Sequence, residues 1–273
     1  MTKLLLIPLV AFLVFVIRRV VRRQRIILAQ LAAYRRGDYE AQLRIVEGLR
    51  RSRADLPVYL FFRGKALFEM GDLAKAEESL RDGLPLQPRP VFAALCEEAL
   101  GETLLEQEKY GEAIAVFESS LRRSPERGGP HRLIAETILR QGGAASDAVR
   151  RARAAAAADE AVRKGQESAD MNLAESLAVQ AWAVAAYSGD EAEVKVHLAR
   201  AFELCPETTK PVRAGLHYHA GCAYRLLGDE RGAAAEFERA AVCDPNGNFG
   251  RLGRRATLSK GVVPVTAETE PRQ

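Results

Sequence analysis

At 273 residues and 30.0 kDa, with 48 % apolar and 28 % charged residues, the chain can build one large core or two small ones and is too apolar to be disordered. Aromatics make up only 7 % while Ala, Leu, Arg and Glu recur, which favours helices over a β-sandwich or barrel, and four scattered cysteines exclude a disulfide scaffold. The net charge of +4 is local: residues 1–53 hold Lys3 and eleven Arg against Asp38, Glu40 and Glu47, a net +9, so the other 220 residues carry −5 and lack the basic body of a nucleic-acid binder.

Leu4 to Ile17 is an uncharged apolar run of fourteen residues, seventeen if counted from Met1, at the lower edge of a spanning helix. A secretory signal peptide carries its positive charge before the run and small residues after it. Here Lys3 precedes, and Arg18, Arg19, Arg22, Arg23 and Arg25 follow without an Ala-x-Ala site. An uncleaved transmembrane anchor with a basic juxtamembrane segment over residues 1–22 fits better. Its arginines snorkel to the headgroups, attract anionic lipid and keep the larger C-terminal part cytoplasmic. Pro8 is tolerable in a helix within lipid. No helix breaker lies between Pro8 and Gly37, so one continuous helix is expected from the membrane into the body.

The body repeats. Gly221, Tyr224, Gly228, Ala233, Phe237, Ala240 and Pro245 alternate small residues, aromatics, a turn glycine and a closing proline. Gly64, Leu67, Gly71, Ala76, Leu80, Gly83 and Pro88 set the same frame, as do Gly101, Leu104, Tyr110, Ala113, Phe117, Ser120 and Pro125. Weaker copies run through Gly143, Ala148, Ala152 and Ala155, and through Gly189, Leu198, Ala201 and Pro206, with Trp182 and Tyr187 in the first helix of the latter. Gly37, Asp38 and Tyr39 begin an incomplete first copy, and Gly37 to Gly71 is 34 residues.

This frame resembles the tetratricopeptide repeat over about residues 23–245. The resemblance implies an all-α fold: a solenoid of about five to six helix hairpins, here preceded by one transmembrane helix. In each hairpin a small residue lets helix A cross close to helix B, a glycine ends helix A in the left-handed region, and a proline stops helix B. Stacking buries faces that no single hairpin can bury. Gly143 to Gly189 exceeds one period by twelve residues, read as a longer second helix to about Lys164 and a loop from Gly165. That loop divides the array into an N-terminal lobe, 23–164, and a C-terminal lobe, 165–250. Residues 251–273 are a cap, with a short helix near Phe249–Leu258, and a disordered tail.

Site chemistry is sparse. Cys96, Cys205, Cys222 and Cys243 include no CxxC pair, so no metal site is expected, and Cys222 reads as a small buried hydrophobe. His217 and His219 point to different helix faces, His217 to packing and His219 toward a groove. No phosphate-binding loop, dinucleotide fingerprint or nucleophile context is present. A non-enzyme without cofactor is expected.

What the resemblance adds is a concave groove lined by A helices that binds extended protein segments. By repeat position its candidates are Lys65, Glu98, Glu102, Thr137, Arg140, Tyr187, Tyr218, His219 and Arg225. The Lys and Asn pattern that binds C-terminal carboxylates is not matched by Phe61, Lys65, Glu98 and Glu102, which argues against chaperone-tail recognition. The expectation is a scaffold on the cytoplasmic face of a bacterial-type inner membrane, single-pass, with unidentified protein partners. The alternative is an exported envelope assembly factor with the array outside the cytoplasm.

Overall fold

The computed structural model describes residues 2–50, 55–162, 167–205 and 209–258, without the side chains of 2–12, 15, 161–162 and 167–169. Among the described residues there are thirteen α-helices and no strand. Six antiparallel hairpins follow one another: α1 (Thr2–Arg35) with α2 (Tyr39–Val46), α3 (Leu56–Met70) with α4 (Leu73–Gly83), α5 (Pro90–Glu106) with α6 (Tyr110–Arg123), α7 (Gly128–Gln141) with α8 (Ala145–Val162), α9 (Glu167–Tyr187) with α10 (Glu191–Leu204), and α11 (Lys210–Leu226) with α12 (Glu230–Cys243). A last helix, α13 (Asn248–Leu258), covers the end of the array, close to the expected cap.

The turns explain the hairpins. Gly37, Gly71, Gly189 and Gly228 all have positive φ, ending helix A as expected. An aspartate follows each of them and caps helix B: Asp38 accepts from Ala41 N–H, Asp72 from Lys75, Asp190 from Ala192 and Glu193, and Asp229 from Gly232. Two turns differ. Between α7 and α8 the left-handed residue is Gly142, φ 74°, not the expected Gly143, because helix α7 makes its last bonds one residue earlier. Between α5 and α6 the position falls to Glu108, φ 61°, so that turn runs without the favoured residue.

Within the hairpins the small-residue rule holds. A Cβ added to Gly64 would lie 2.6 Å from Leu80 Cγ, one on Gly221 2.6 Å from Phe237 Cε1, and one on Gly101 2.7 Å from Phe117 Cδ1. Apolar clusters then join successive hairpins. One runs through Leu80, Cys96, Leu104, Phe117 and Ile134, linking α4 to α7. Another runs from Ala135 through Val149, Trp182, Leu198 and Cys222 to Phe237, so it crosses the boundary expected at 164/165 without a break. The extra residues of this region lengthen α9 to 21 residues as well as α8 to 18. The loop expected from Gly165, Pro206 and the tail after Leu258 lie outside the described residues.

Helix α1 is continuous over 34 residues, about 51 Å at 1.5 Å per residue. Among the described residues no helix is long and apolar enough to cross a membrane. The anchor expected at 1–22 rests mainly on side chains 1–12 and 15, which lie outside the described set. Of the part that is described, Leu13, Val14, Val16, Ile17, Val20 and Val21 are exposed, as are the five arginines. Arg19 and Arg23 stand 3.8 and 3.5 Å from Asp55, just before α3, and Arg22 donates to the Gly48 carbonyl at 3.5 Å. These contacts brace α1 on the start of the array.

The array bends back on itself. The six A helices form an inner ring, and the α12–α13 corner reaches the first two hairpins. Tyr39 hydrogen-bonds Asp244 across 205 residues of sequence, and the turn at Gly37 packs against the same carboxylate.

Candidate partner groove

Every A helix contributes to the axis of the ring: Tyr34 from α1, Lys65 and Glu69 from α3, Glu102 and Glu106 from α5, Arg132 and Glu136 from α7, Glu175 from α9 and Pro211 from α11, with Asn248 and Phe249 of α13 closing it. The free space is about 40 Å³, enough for roughly three water molecules and far too little for a peptide.

Ion pairs stitch neighbouring A helices together. Lys65 Nζ donates to Glu102 at 2.9 Å, and Arg140 makes a two-pronged contact with Glu106 at 2.6 and 3.2 Å. Arg132 meets Glu175 at 3.2 Å, and His219 Nε2 lies 3.5 Å from Glu136. The electrostatics follow from burial. Burial, helped by the nearby Asp244 and Glu102 carboxyls, lifts the Glu69 carboxyl to about 7 against the opposing pull of Lys65 and the Asn248 N–H. Burial also acts to raise Glu136, but His219, Arg140 and Arg132 outweigh it and hold the carboxyl at about 2. Burial lowers the Lys65 ammonium, yet Glu102 and Glu69 reverse this and leave it raised.

Aromatic side chains fill the α11 side. His219 stacks on Trp182 at 5.8 Å, and Phe249 lies 5.7 Å from Tyr218 and 5.2 Å from His219. A Cβ on Gly215 would sit 3.0 Å from the Phe249 ring, so that glycine makes room for it.

Of the nine residues expected to line the groove, five gather around this axis: Lys65, Glu102, Arg140, Tyr218 and His219. The others do not. Glu98 turns sideways, accepting from Arg127 at 2.8 and 3.0 Å and from Ser120 at 3.2 Å, beside a lateral cavity of about 250 Å³ with Asp159 and Arg132. Thr137 is fully buried, its hydroxyl donating to the Leu133 carbonyl at 2.7 Å, so it offers nothing to a partner. Tyr187 ends α9 with 61 % of its surface exposed, away from the axis. Arg225 lies 4.6 Å over the Phe237 ring and donates to the Ala256 carbonyl at 2.9 Å, so it holds α13 in place. The axis of the ring is therefore a narrow space whose lining residues are paired with one another.

Repeat position missed Glu69, Glu106, Arg132 and Glu136. Helical spacing would have found them, since Lys65 and Glu69, Glu102 and Glu106, and Arg132, Glu136 and Arg140 each recur every four residues on one face. His217, expected to pack, lies with its Nδ1 2.6 Å from the Glu236 carboxylate on the outer face and 4.8 Å from the Phe202 ring. Burial pushes the thiols of Cys96 and Cys222 up to about 12 and that of Cys205 to about 11, so none is a nucleophile near neutral pH.

Comparison with known proteins agrees with the repeat frame. The tetratricopeptide repeat pattern matches residues 98–127, the copy built around Gly101 and Phe117. Among solved structures, the apo form of RapI is similar at 13 % identity and a TM-score of 0.51, over 87 % of this chain and 99 % of that one. YrrB, described as a TPR protein with an unusual peptide-binding site, aligns at 18 % identity over 77 % of this chain and 96 % of its own, with a TM-score of 0.37. The TPR2AB-domain:pHSP90 complex of yeast Sti1 aligns at 14 % identity over 86 % and 96 %, with a TM-score of 0.34. No curated protein matches. Residues 98–127 thus match the tetratricopeptide repeat, and the described residues form an all-helical solenoid with a fold like that of tetratricopeptide arrays.

Proposed function

We propose that the chain is a membrane-tethered scaffold that gathers protein partners on the cytoplasmic face of a membrane. The observation that carries this reading is helix α1. It joins an apolar run of fourteen residues to the first hairpin without a break, and a collar of five arginines stands at the junction. Six exposed apolar side chains between Leu13 and Val21 have no place in a soluble repeat array and suit acyl chains and headgroups. Each basic residue near an anionic surface adds about 1 kcal/mol of attraction.

The array supplies the partner-binding half. It is a continuous stack of helix hairpins, and tetratricopeptide arrays work as interaction surfaces. Arg19, Arg23 and Asp55 fix it to α1, so partners are held close to the bilayer and not on a loose tether.

Topology tests the reading. Paired C-terminal reporters, one active only inside the cytoplasm and one only outside, should signal inside. A signal outside would reverse the arginine argument and favour an exported assembly factor. Recovery of the full-length chain in the soluble fraction, with no flotation on anionic vesicles, would remove the membrane from the proposal.

A further inference from the structure

The contacts that close the ring differ in kind from those that build it. Described apolar clusters link each hairpin to the next from α4 to α12, and a separate pair of clusters links α1 through α4. Among the described residues no apolar cluster joins the first two hairpins to α11–α13. The seam is held by polar groups. Arg251 donates to the carbonyl oxygens of Glu69 and, at 3.2 Å, Phe68, the last turn of α3, where the helix dipole is negative. The backbone N–H of Asn248, at the positive N-terminus of α13, donates to the Glu69 carboxylate at 3.0 Å. Asn248 Nδ2 donates to Glu106 at 3.0 Å, so one residue bridges α3 and α5. Tyr39 and Asp244 complete the seam.

Each of these groups can be satisfied by water or by another polar partner of the matching kind. Separating the seam splits none of the described apolar clusters, and the end of α3 already has its own cap in Gly71, which donates to Leu67 and Phe68. The α12–α13 corner is thus an occupant of the groove and not part of its framework.

We propose that this corner is a latch, and that the partner accepted by the scaffold is a helical segment with an amide side chain near its N-terminus and an arginine three residues on, which takes the place of Asn248 and Arg251 at the end of α3. The chemistry is read from the occupant. The site offers two glutamates and a row of helix-end carbonyls, all acceptors, and α13 answers with an N-terminal N–H, a carboxamide and a guanidinium. A segment of that composition competes for the same acceptors and holds the ring open; an acidic segment has nothing to bind. The proposal rests on the scaffold reading for its meaning, but its test uses neither membrane nor partner.

The test uses the full chain, as wild type and as Arg251→Ala, Asn248→Ala and the double variant, with a labelled peptide of residues 244–258 added in trans. In the Arg251→Ala chain, hydrogen exchange at the Asn248 amide should speed up at least tenfold while core amides of α7 and α9 keep their wild-type protection. The double variant should bind the peptide at least tenfold more tightly than wild type, whose own corner competes, and a peptide carrying Arg251→Ala should lose that binding. Unchanged protection of Asn248 would overturn the latch. So would loss of protection through α7 and α9, which would make the corner part of the framework, and so would equal peptide binding by wild type and double variant. Any of these leaves the scaffold reading standing; a chain that behaves as a latch yet captures no protein partner would fail the scaffold reading alone.

Discussion

Substituting Gly101 by alanine tests the physical basis of the repeat. In α5 the added Cβ would lie 2.7 Å from both Cδ1 and Cζ of Phe117, more than an ångström inside carbon–carbon contact distance. Phe117 has no exposed surface and is enclosed by Leu100, Leu104 and Ile134, so its ring cannot yield by rotating into solvent. Relief requires α6 to move away from α5. Overpacking of this kind costs about 1–3 kcal/mol, and the enclosed ring selects the upper end; against a gain of about 1 kcal/mol when alanine replaces glycine inside a helix, a net loss of about 2 kcal/mol is expected. For a chain of this size that lowers Tm by about 4–8 °C. Gly111 is the control: it lies in α6 with nothing within 4 Å of its added Cβ, so Gly111→Ala should hold or raise Tm. Pairing Gly101→Ala with Phe117→Leu should recover part of the loss, because the two positions share one space. Thermal and urea unfolding of the four proteins decide the matter. A Gly101→Ala chain as stable as wild type would refute the account of why small residues recur at Gly64, Gly101 and Gly221.

Three further outcomes follow from the same geometry. Glu69 keeps its proton in the fold up to about pH 7 but would lose it near its ordinary value of 4.5 when unfolded, so the folded state binds the extra proton and its advantage is lost as pH rises through that window. At about 1.4 kcal/mol per pH unit this amounts to about 3 kcal/mol. Urea titrations from pH 4.5 to 8 should show Glu69→Gln gaining on wild type as pH rises, with Lys65, Glu102, Asp244 and Arg251 as the neighbouring charges; a constant difference would contradict it. Arg140→Met leaves Glu106 and Glu136 buried beside an apolar side chain and should cost about 3–5 kcal/mol in the same assay; a loss below about 1 kcal/mol would mean water reaches the axis freely. Glu108 holds a left-handed conformation that the other turns give to glycine, so Glu108→Gly should stabilise by about 1 kcal/mol, and a drop in Tm would show that its side chain earns the strain.

The hairpins were legible because their signals are local. A turn glycine followed by a capping aspartate occurs at Gly37, Gly71, Gly189 and Gly228, and a small residue precedes its bulky partner by 16 positions at Gly64–Leu80, Gly101–Phe117 and Gly221–Phe237. Where two glycines adjoin, at 142 and 143, spacing alone chose the wrong one, since the left-handed residue is fixed by the last hydrogen bonds of α7. The groove was half legible. Residues on α3, α5, α7 and α11 could be placed from the repeat frame, but their pairing could not, because Lys65 meets Glu102 and Arg140 meets Glu106 only after neighbouring repeats are stacked. Ring closure left no local trace at all. Asp244, Asn248 and Arg251 sit in a stretch that reads as the approach to a cap, and their partners lie 142 to 205 residues away.

Closure and anchoring constrain each other. Helix α1 is one piece from the apolar run to Gly37, and Arg19 and Arg23 pin it to the start of α3 through Asp55. If α1 is anchored as proposed, the first hairpin cannot swing without carrying the apolar segment through the bilayer surface, a movement that would bring charged side chains into lipid. The last hairpin has no such restraint: it packs on α9, touches α1 along α11, and meets the first two hairpins through the polar seam at Asp244, Asn248 and Arg251. If the ring opens, the moving part is α11–α13 and the fixed part is α1–α3. A partner segment seated on the end of α3 would then be held by the half of the molecule that does not move and, under the anchoring proposed above, close to the membrane.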